Sequence, residues 1–325
     1  MRLIEQIKNN LPSFVRLNKW SLYYELFAGR FIKAAKKPRI YQLETTSKCN
    51  LACPMCPRTI DFGRSKNEDM SIRHFCGILD SMPWLKSLEL FHFGEPFMQK
   101  DFWKYVHACT SRGIYSIIAT NLVPASEKTM RQIFSAGLDF AVLDLDSLNE
   151  KEYLKVRVNG KFDRLKKNLA YFLEHPDRPY TVIQTINFGK QAYTEEELHE
   201  WLEKECGTKA RPDEFRVKFL DSFRGSVFDK GSLDYICKEP FYGFSVHANG
   251  NVVPCDRDWK GENVMGNIFE ESSEVIWKSQ KYKEFRKRMK SKNKPDMCKN
   301  CPEGHLFNAR SQQLVQVNMF KGGEV

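Results

Sequence analysis

The chain has 325 residues, 42% hydrophobic and 13% aromatic, enough for one large packed domain plus a small one and too apolar for a disordered chain. No apolar run approaches a membrane span, and residues 1–10 lack the apolar stretch of a secretory signal, so a cytoplasmic protein with reduced or metal-bound thiols is expected. The net charge of +10 is uneven: residues 1–39 carry nine Lys or Arg against two acids, and residues 278–299 carry ten against two. Two solvated basic faces are the plain reading. An anionic substrate, an acidic partner or contact with a membrane surface are the sharper ones, and with no recognised binding motif no nucleic acid is expected.

In chain order, Leu3, Ile4, Ile7, Leu11, Phe14 and Val15, then Trp20, Tyr23, Tyr24, Phe27, Phe31 and Ile32, recur at helical spacing. They predict a basic amphipathic helical segment over 1–39, packed on the main domain. Strands are predicted at 40–46, 87–93, 114–120, 138–145, 180–187 and 214–220. Between them, helices are predicted at 72–81, 101–112, 126–136, 150–173 with an irregular middle at Asn159-Gly160, and 195–206. Asp101 and Ser126 are suitable N-caps. Six β–α repeats imply an α/β fold with a parallel sheet, two units short of a closed eight-stranded barrel. Near Gly225 the alternation stops. A hairpin is predicted about Asn249-Gly250, a favoured tight-turn pair, followed by helices at 267–280 and 281–289.

Three cysteines, Cys49, Cys53 and Cys56, lie within eight residues just after the first strand. Thiolates are soft ligands suited to iron–sulfur clusters or zinc, and three of them leave one iron of a cubane without a protein ligand. Taken alone, the stretch also fits a zinc knuckle or buried free cysteines. Further on, Phe93-Gly94-Glu95-Pro96 closes the second strand, Thr120-Asn121 the third, and Asp144-Leu145-Asp146-Ser147 the fourth. In parallel α/β folds these carboxyl ends carry the active site. Cys237, Cys255, Cys298 and Cys301 form a late group, with Gly250 five residues before Cys255 and a closing Cys-x-x-Cys. Four thiolates saturate one cubane, or one structural zinc. Cys76 and Cys109 read as small core residues and Cys206 as a helix-end residue. His92, beside Gly94, reads as a buried histidine.

The cysteine spacings resemble the radical S-adenosylmethionine (SAM) family with a SPASM or Twitch type C-terminal extension, and in particular its single-auxiliary-cluster dehydrogenases and epimerases. The resemblance implies a partial six-stranded (β/α) barrel over 40–225 and a small auxiliary cluster domain over 226–325. It implies two 4Fe–4S clusters: one on Cys49, Cys53 and Cys56 whose open iron chelates SAM, the other on Cys237, Cys255, Cys298 and Cys301. Met55 then packs near the adenine. Gly94 and Glu95 stand in the motif lining the SAM amino group, with Phe93 replacing its first glycine. Thr120-Asn121 matches a Thr-Asn-Gly motif with Leu122 in place of the glycine. Asp144 is placed to bond a ribose hydroxyl, and Arg157 resembles the arginine pairing with the SAM carboxylate, with a surface ion pair as its plainer reading. Reductive cleavage of SAM to a 5′-deoxyadenosyl radical would then abstract hydrogen from a small polar substrate of sugar or aminocyclitol type, with the auxiliary cluster accepting an electron. A flavodoxin or ferredoxin type donor would supply the cleaving electron. A redox-neutral epimerase with a thiol hydrogen donor and a peptide-modifying enzyme stay open, and a zinc-containing binding protein is the reading from another class.

Overall fold

The computed structural model describes residues 32–187, 193–219, 236–299 and 301. The helices predicted over 1–31 lie outside them.

Six parallel strands come in chain order: β1 (Arg39–Leu43), β2 (Ser87–Glu89), β3 (Tyr115–Thr120), β4 (Phe140–Asp144), β5 (Tyr180–Asn187) and β6 (Glu214–Phe219). Each pairs with the next in parallel. Helices fill every crossover: α1 (Pro57–Ile60) and α2 (Ile72–Ser81), α3 (Trp103–Thr110), α4 (Glu127–Ser135), α5 (Glu150–Val156) and α6 (Phe162–Glu174), and α7 (Glu195–Glu205). This is the predicted α/β partial barrel of six units. On one face of the strands Leu43, Leu88, Ile118, Leu143 and Ile183 are all at most 1% exposed and pack under the helices. Burial of such a side chain contributes about 1.5–3 kcal/mol. The opposite face carries Gln42, Glu89, Asp144 and Gln184. Gln42 and Glu89 are register partners, as are Asp144 and Gln184, so each pair shares a face.

One helix start in the barrel differs from expectation. Asp101 does not cap α3: its backbone is left-handed, with φ 53°, Phe102 takes the cap position, and the Asp101 carboxylate pairs with Lys104 instead. The region predicted as helical over 150–173 with an irregular middle at Asn159-Gly160 is two helices, α5 and α6, and the break falls there as predicted. Asn159 has φ 69°, and a Cβ on Gly160 would lie 2.5 Å from the Tyr153 ring. Ser126 caps α4 as predicted, completed by Thr129 in a capping box.

The C-terminal region contains α8 (Glu239–Tyr242), β7 (Gly243–Val246), β8 (Asn251–Val253), β9 (Gly266–Asn267), α9 (Ser273–Lys278), α10 (Gln280–Met289) and α11 (Asp296–Lys299). β7 and β8 form the predicted hairpin, with Gly250 at φ 86°. A helix does not begin at Asn267. That residue closes β9, and its amide donates to Asn249 O and Asn251 Oδ1, so the helix waits for the Ser272 cap. β7 also joins the barrel. It pairs in parallel with the free edge of β1, Arg39 opposite Gly243 and Ile40 opposite Phe244. The result is one nine-stranded sheet in the order β6-β5-β4-β3-β2-β1-β7-β8-β9.

Candidate active site

The loop after β1 carries Cys49, Cys53 and Cys56. Its course is held by its backbone: Ala52 N donates to Val158 O, Cys56 N to Cys53 O, and the Arg58 guanidinium to Ser47 O. The three thiols sit in an apolar patch formed by Leu51, Met55 and Val156, with Ile186 beside it. Met55 is therefore next to the cysteines, as its position requires. Leu51 N–H points at Cys49 Sγ (3.5 Å). Burial pushes the Cys49 thiol up to about 12 and Cys56 to about 11, each thiol raising the next. A cluster held by these thiols would displace their protons. Among the described residues no three His, Cys, Asp or Glu side chains are placed to hold a single metal ion. Three thiolates fit three corners of a cubane and leave its fourth iron without a protein ligand.

Gly94 and Glu95 close over this loop. A Cβ on Gly94 would fall 1.8 Å from Thr46 O, so no side chain fits there. Glu95 N donates to Lys48 O. The Glu95 carboxylate, 3% exposed, accepts from Thr120 Oγ1 (2.5 Å), Asn121 N (2.8 Å), Asn121 Nδ2 (2.6 Å) and Phe97 N (3.2 Å). Asn121 also exchanges amide bonds with Asn50 of the cysteine loop. Burial raises the Glu95 pKa to about 7 against these hydrogen bonds. Glu95, Thr120 and Asn121, from two strand ends, thus act as one buried group beside the thiols. Leu122 keeps the backbone that a glycine would give: its φ is 61° and its side chain is buried. Asn168 of α6 donates to Leu122 O and Ala125 O and fixes that turn.

Arg157 is not on the surface. Its Nε donates to Asp146, its Nη2 lies 3.4 Å from Asp144, and its Nη1 lies 3.9 Å from Cys53 Sγ. Asp146, at φ 62°, is fully enclosed, whereas the Asp144 side chain is 21% exposed and accepts from Gln184 Nε2 (3.0 Å). Asp144, Asp146, Arg157 and Gln184 therefore form one array across the ends of β4 and β5. The side chain of Asn187 lies outside the described residues.

Sequence reasoning missed a second buried group. Glu44, fully buried at the end of β1, takes both arms of Arg64 (2.8 and 2.7 Å) and the N–H of Ala248 (3.1 Å). His92 Nδ1 lies 4.0 Å from Glu44, and its Nε2 bonds Asp256 O (2.8 Å). The His247 ring stacks on it at 5.4 Å. Burial alone would raise Glu44, but Arg64 brings its pKa to about 2. Burial keeps both histidines below their usual range. This network joins the cysteine-loop end of the barrel to the segment holding Cys255. Its members come from four distant stretches, and only His92 stood beside a motif.

The late cysteines are gathered. Cys237, Cys298 and Cys301 all act electrostatically on Cys255, and burial raises the Cys255 thiol well above its ordinary range. Cys298 is buried, while Cys237, Cys255 and Cys301 are half-buried. Cys301 N donates to Cys298 O, which closes the Cys-x-x-Cys turn. Four thiols at one place fit a fully ligated cubane. Cys109 is a core residue, Cys76 packs on the core, and Cys206 ends α7.

Comparison with known proteins finds two domains, one spanning each group of cysteines. The radical SAM superfamily matches residues 43–204, and the SPASM iron-sulfur cluster-binding domain matches residues 237–302. The S-adenosyl-L-methionine-dependent 2-deoxy-scyllo-inosamine dehydrogenase of Niallia circulans is 23% identical over 273 residues, 80% of this chain and 91% of that one. The PqqA peptide cyclase of Rhizobium meliloti (strain 1021) is 24% identical over 310 residues, 81% of this chain and 79% of that one. In fold, the crystal structure of BtrN in complex with AdoMet and 2-DOIA aligns with a TM-score of 0.55 at 20% identity, over 82% of this chain and 94% of that one. This chain belongs to the radical SAM superfamily, enzymes that hold a 4Fe–4S cluster and SAM, and it carries a SPASM domain for an auxiliary iron–sulfur cluster.

Proposed function

We propose that the enzyme is a dehydrogenase that removes two electrons and two protons from a small polar substrate of sugar or aminocyclitol type. The gathering of Cys237, Cys255, Cys298 and Cys301 carries the reading: four thiolates leave no iron open for substrate and suit the auxiliary cluster to electron transfer. When bound, the clusters and SAM supply the redox chemistry: reductive cleavage of SAM, hydrogen abstraction by a 5′-deoxyadenosyl radical, and acceptance of one electron at the auxiliary cluster. The protein supplies orientation. Cys49, Cys53 and Cys56 hold the SAM-binding cluster. Glu95, fixed by Thr120 and Asn121, takes the SAM ammonium, and Gly94 gives the approach its room. Arg157 beside Cys53 faces the SAM carboxylate, Met55 the adenine, and Asp144 a ribose hydroxyl. The polar barrel face of Gln42, Glu89 and Gln184 favours a hydroxyl- or amine-bearing substrate over an apolar one. Residues 40–225 would house this site and residues 226–325 the auxiliary cluster, in a cytoplasmic setting with a one-electron donor protein.

A second reading, peptide modification, rests on the similarity to the PqqA peptide cyclase. The test is anaerobic turnover of the reconstituted enzyme with SAM and dithionite against a panel of aminocyclitols, amino sugars and short peptides. The expected product is a small molecule lighter by two hydrogens, formed with 5′-deoxyadenosine. A product isomeric with the substrate in ordinary water, and carrying one deuterium when formed in deuterated water, would make the enzyme an epimerase. Turnover confined to peptides would replace the substrate class.

A further inference from the structure

Lysines from both basic stretches of the chain line one groove. Lys33 and Lys36 come from the segment before β1, and Lys283, Arg286 and Lys287 come from α10, about 250 residues later. Backbone carbonyls fix the junction: Ala35 N donates to Phe241 O (2.7 Å), Trp277 Nε1 to Ala35 O (2.8 Å), and Lys290 Nζ to Ile32 O (2.5 Å). The groove has a volume of about 600 Å³, within the range of small-ligand sites. Seven of its twelve lining residues are Lys or Arg and none is acidic. It lies where β1 and β7 begin, at the end of the sheet opposite the cysteine loop, so it is no part of the SAM site.

Its floor is built. Arg286 is 7% exposed, and its guanidinium is sandwiched between the rings of Trp277 (3.8 Å) and Tyr282 (4.0 Å). Nε and Nη1 donate to the carbonyls of Pro240 and Trp277, and buried Nη2 has no hydrogen-bond partner. Among the described residues no carboxylate meets this charge. Lys33, Lys36, Lys283 and Lys287 are exposed on the rim, and among the described residues none of them forms an ion pair. A buried cation without a counter-ion is costly, and a cleft of one sign with low-dielectric walls focuses its field on whatever enters. Several lysines spread around one opening suit an anion with several charged oxygens better than a single carboxylate.

We propose that this groove binds a phosphate-bearing anion, held by Lys33, Lys36, Lys283 and Lys287 over the Arg286 floor. The same chemistry is offered by the headgroup of an acidic lipid and by a free phosphate compound. The full-length reconstituted enzyme distinguishes them at about 0.1 M salt, where exposed charges still act over about 10 Å. Inorganic pyrophosphate is titrated by calorimetry, and vesicles of phosphatidylglycerol with phosphatidylcholine, against phosphatidylcholine alone, are tested by co-sedimentation. Saturable pyrophosphate binding without sedimentation on either vesicle assigns a soluble ligand. Sedimentation on the phosphatidylglycerol vesicles only, reversed by pyrophosphate, assigns a lipid headgroup. In either case the double variant Lys283→Glu, Lys287→Glu weakens binding at least about tenfold, roughly 1.4 kcal/mol. Its iron content and SAM cleavage stay unchanged. Absence of binding to both probes in the unaltered enzyme, or equal binding by the double variant, overturns the proposal.

Discussion

Glu95 sits where burial lifts its pKa to about 7, although Thr120, Asn121 and Phe97 all donate to it. Below that pH it holds a proton, and a neutral carboxyl pairs poorly with an ammonium group. SAM affinity, measured by anaerobic equilibrium dialysis, should rise with pH through about 7 and then level off. Glu95→Gln should flatten that profile and weaken SAM by about 1.5–3 kcal/mol above pH 7, the range of a charge-assisted hydrogen bond. An unchanged profile would contradict the role assigned to Glu95. This residue was legible in the sequence because its motif is local and sits at a strand end. Glu44, Arg64 and His247 were not, and His92 was read as a buried histidine without its partners, because their contacts join residues 20 to 204 positions apart. Leu122 is an intermediate case. The sequence marked the replaced glycine, but only the fold reveals that Asn168 holds the left-handed turn that a leucine does not favour.

At the scale of elements, the loop after β1 and the loop after β2 are fastened backbone to backbone. Gly94 passes so close to Thr46 O that an alanine methyl must displace one loop or the other. Gly94→Ala should therefore cost about 2–4 kcal/mol, in the upper range for single substitutions. It should also lower iron uptake at the first three cysteines while sparing the late four. Thermal melting and iron analysis check both; a melting point equal to the unaltered protein's would refute the close approach. The six barrel strands and their helices were readable because hydrophobic periodicity is a local signal. Errors gathered at ends. Asp101 has a capping side chain, but its left-handed backbone turns it away from the cap position. Asn267 has helix-like neighbours, but its amide is taken by the Asn249–Asn251 turn.

At the scale of the whole molecule, two separate thiol sets imply about eight irons per reconstituted chain. Changing Cys49, Cys53 and Cys56 together to Ala should leave about half of that iron, with its absorbance, and abolish 5′-deoxyadenosine formation. Retained SAM cleavage would place the catalytic cluster elsewhere. The sequence divided the chain near Gly225 because the strand–helix rhythm stops there, and that rhythm says nothing about which sheet edge a later strand will join. β7 takes the open edge of β1, Glu44 reaches across to Ala248, and His92 reaches across to Asp256. The C-terminal region is thus a stave of the barrel wall as well as a cluster holder. It cannot be traded between related enzymes as a detachable cassette. A hybrid would inherit a mismatched seam along β1 unless that strand and its buried glutamate travelled with the donor's hairpin, so divergence of the auxiliary region is tied to divergence of the very first strand.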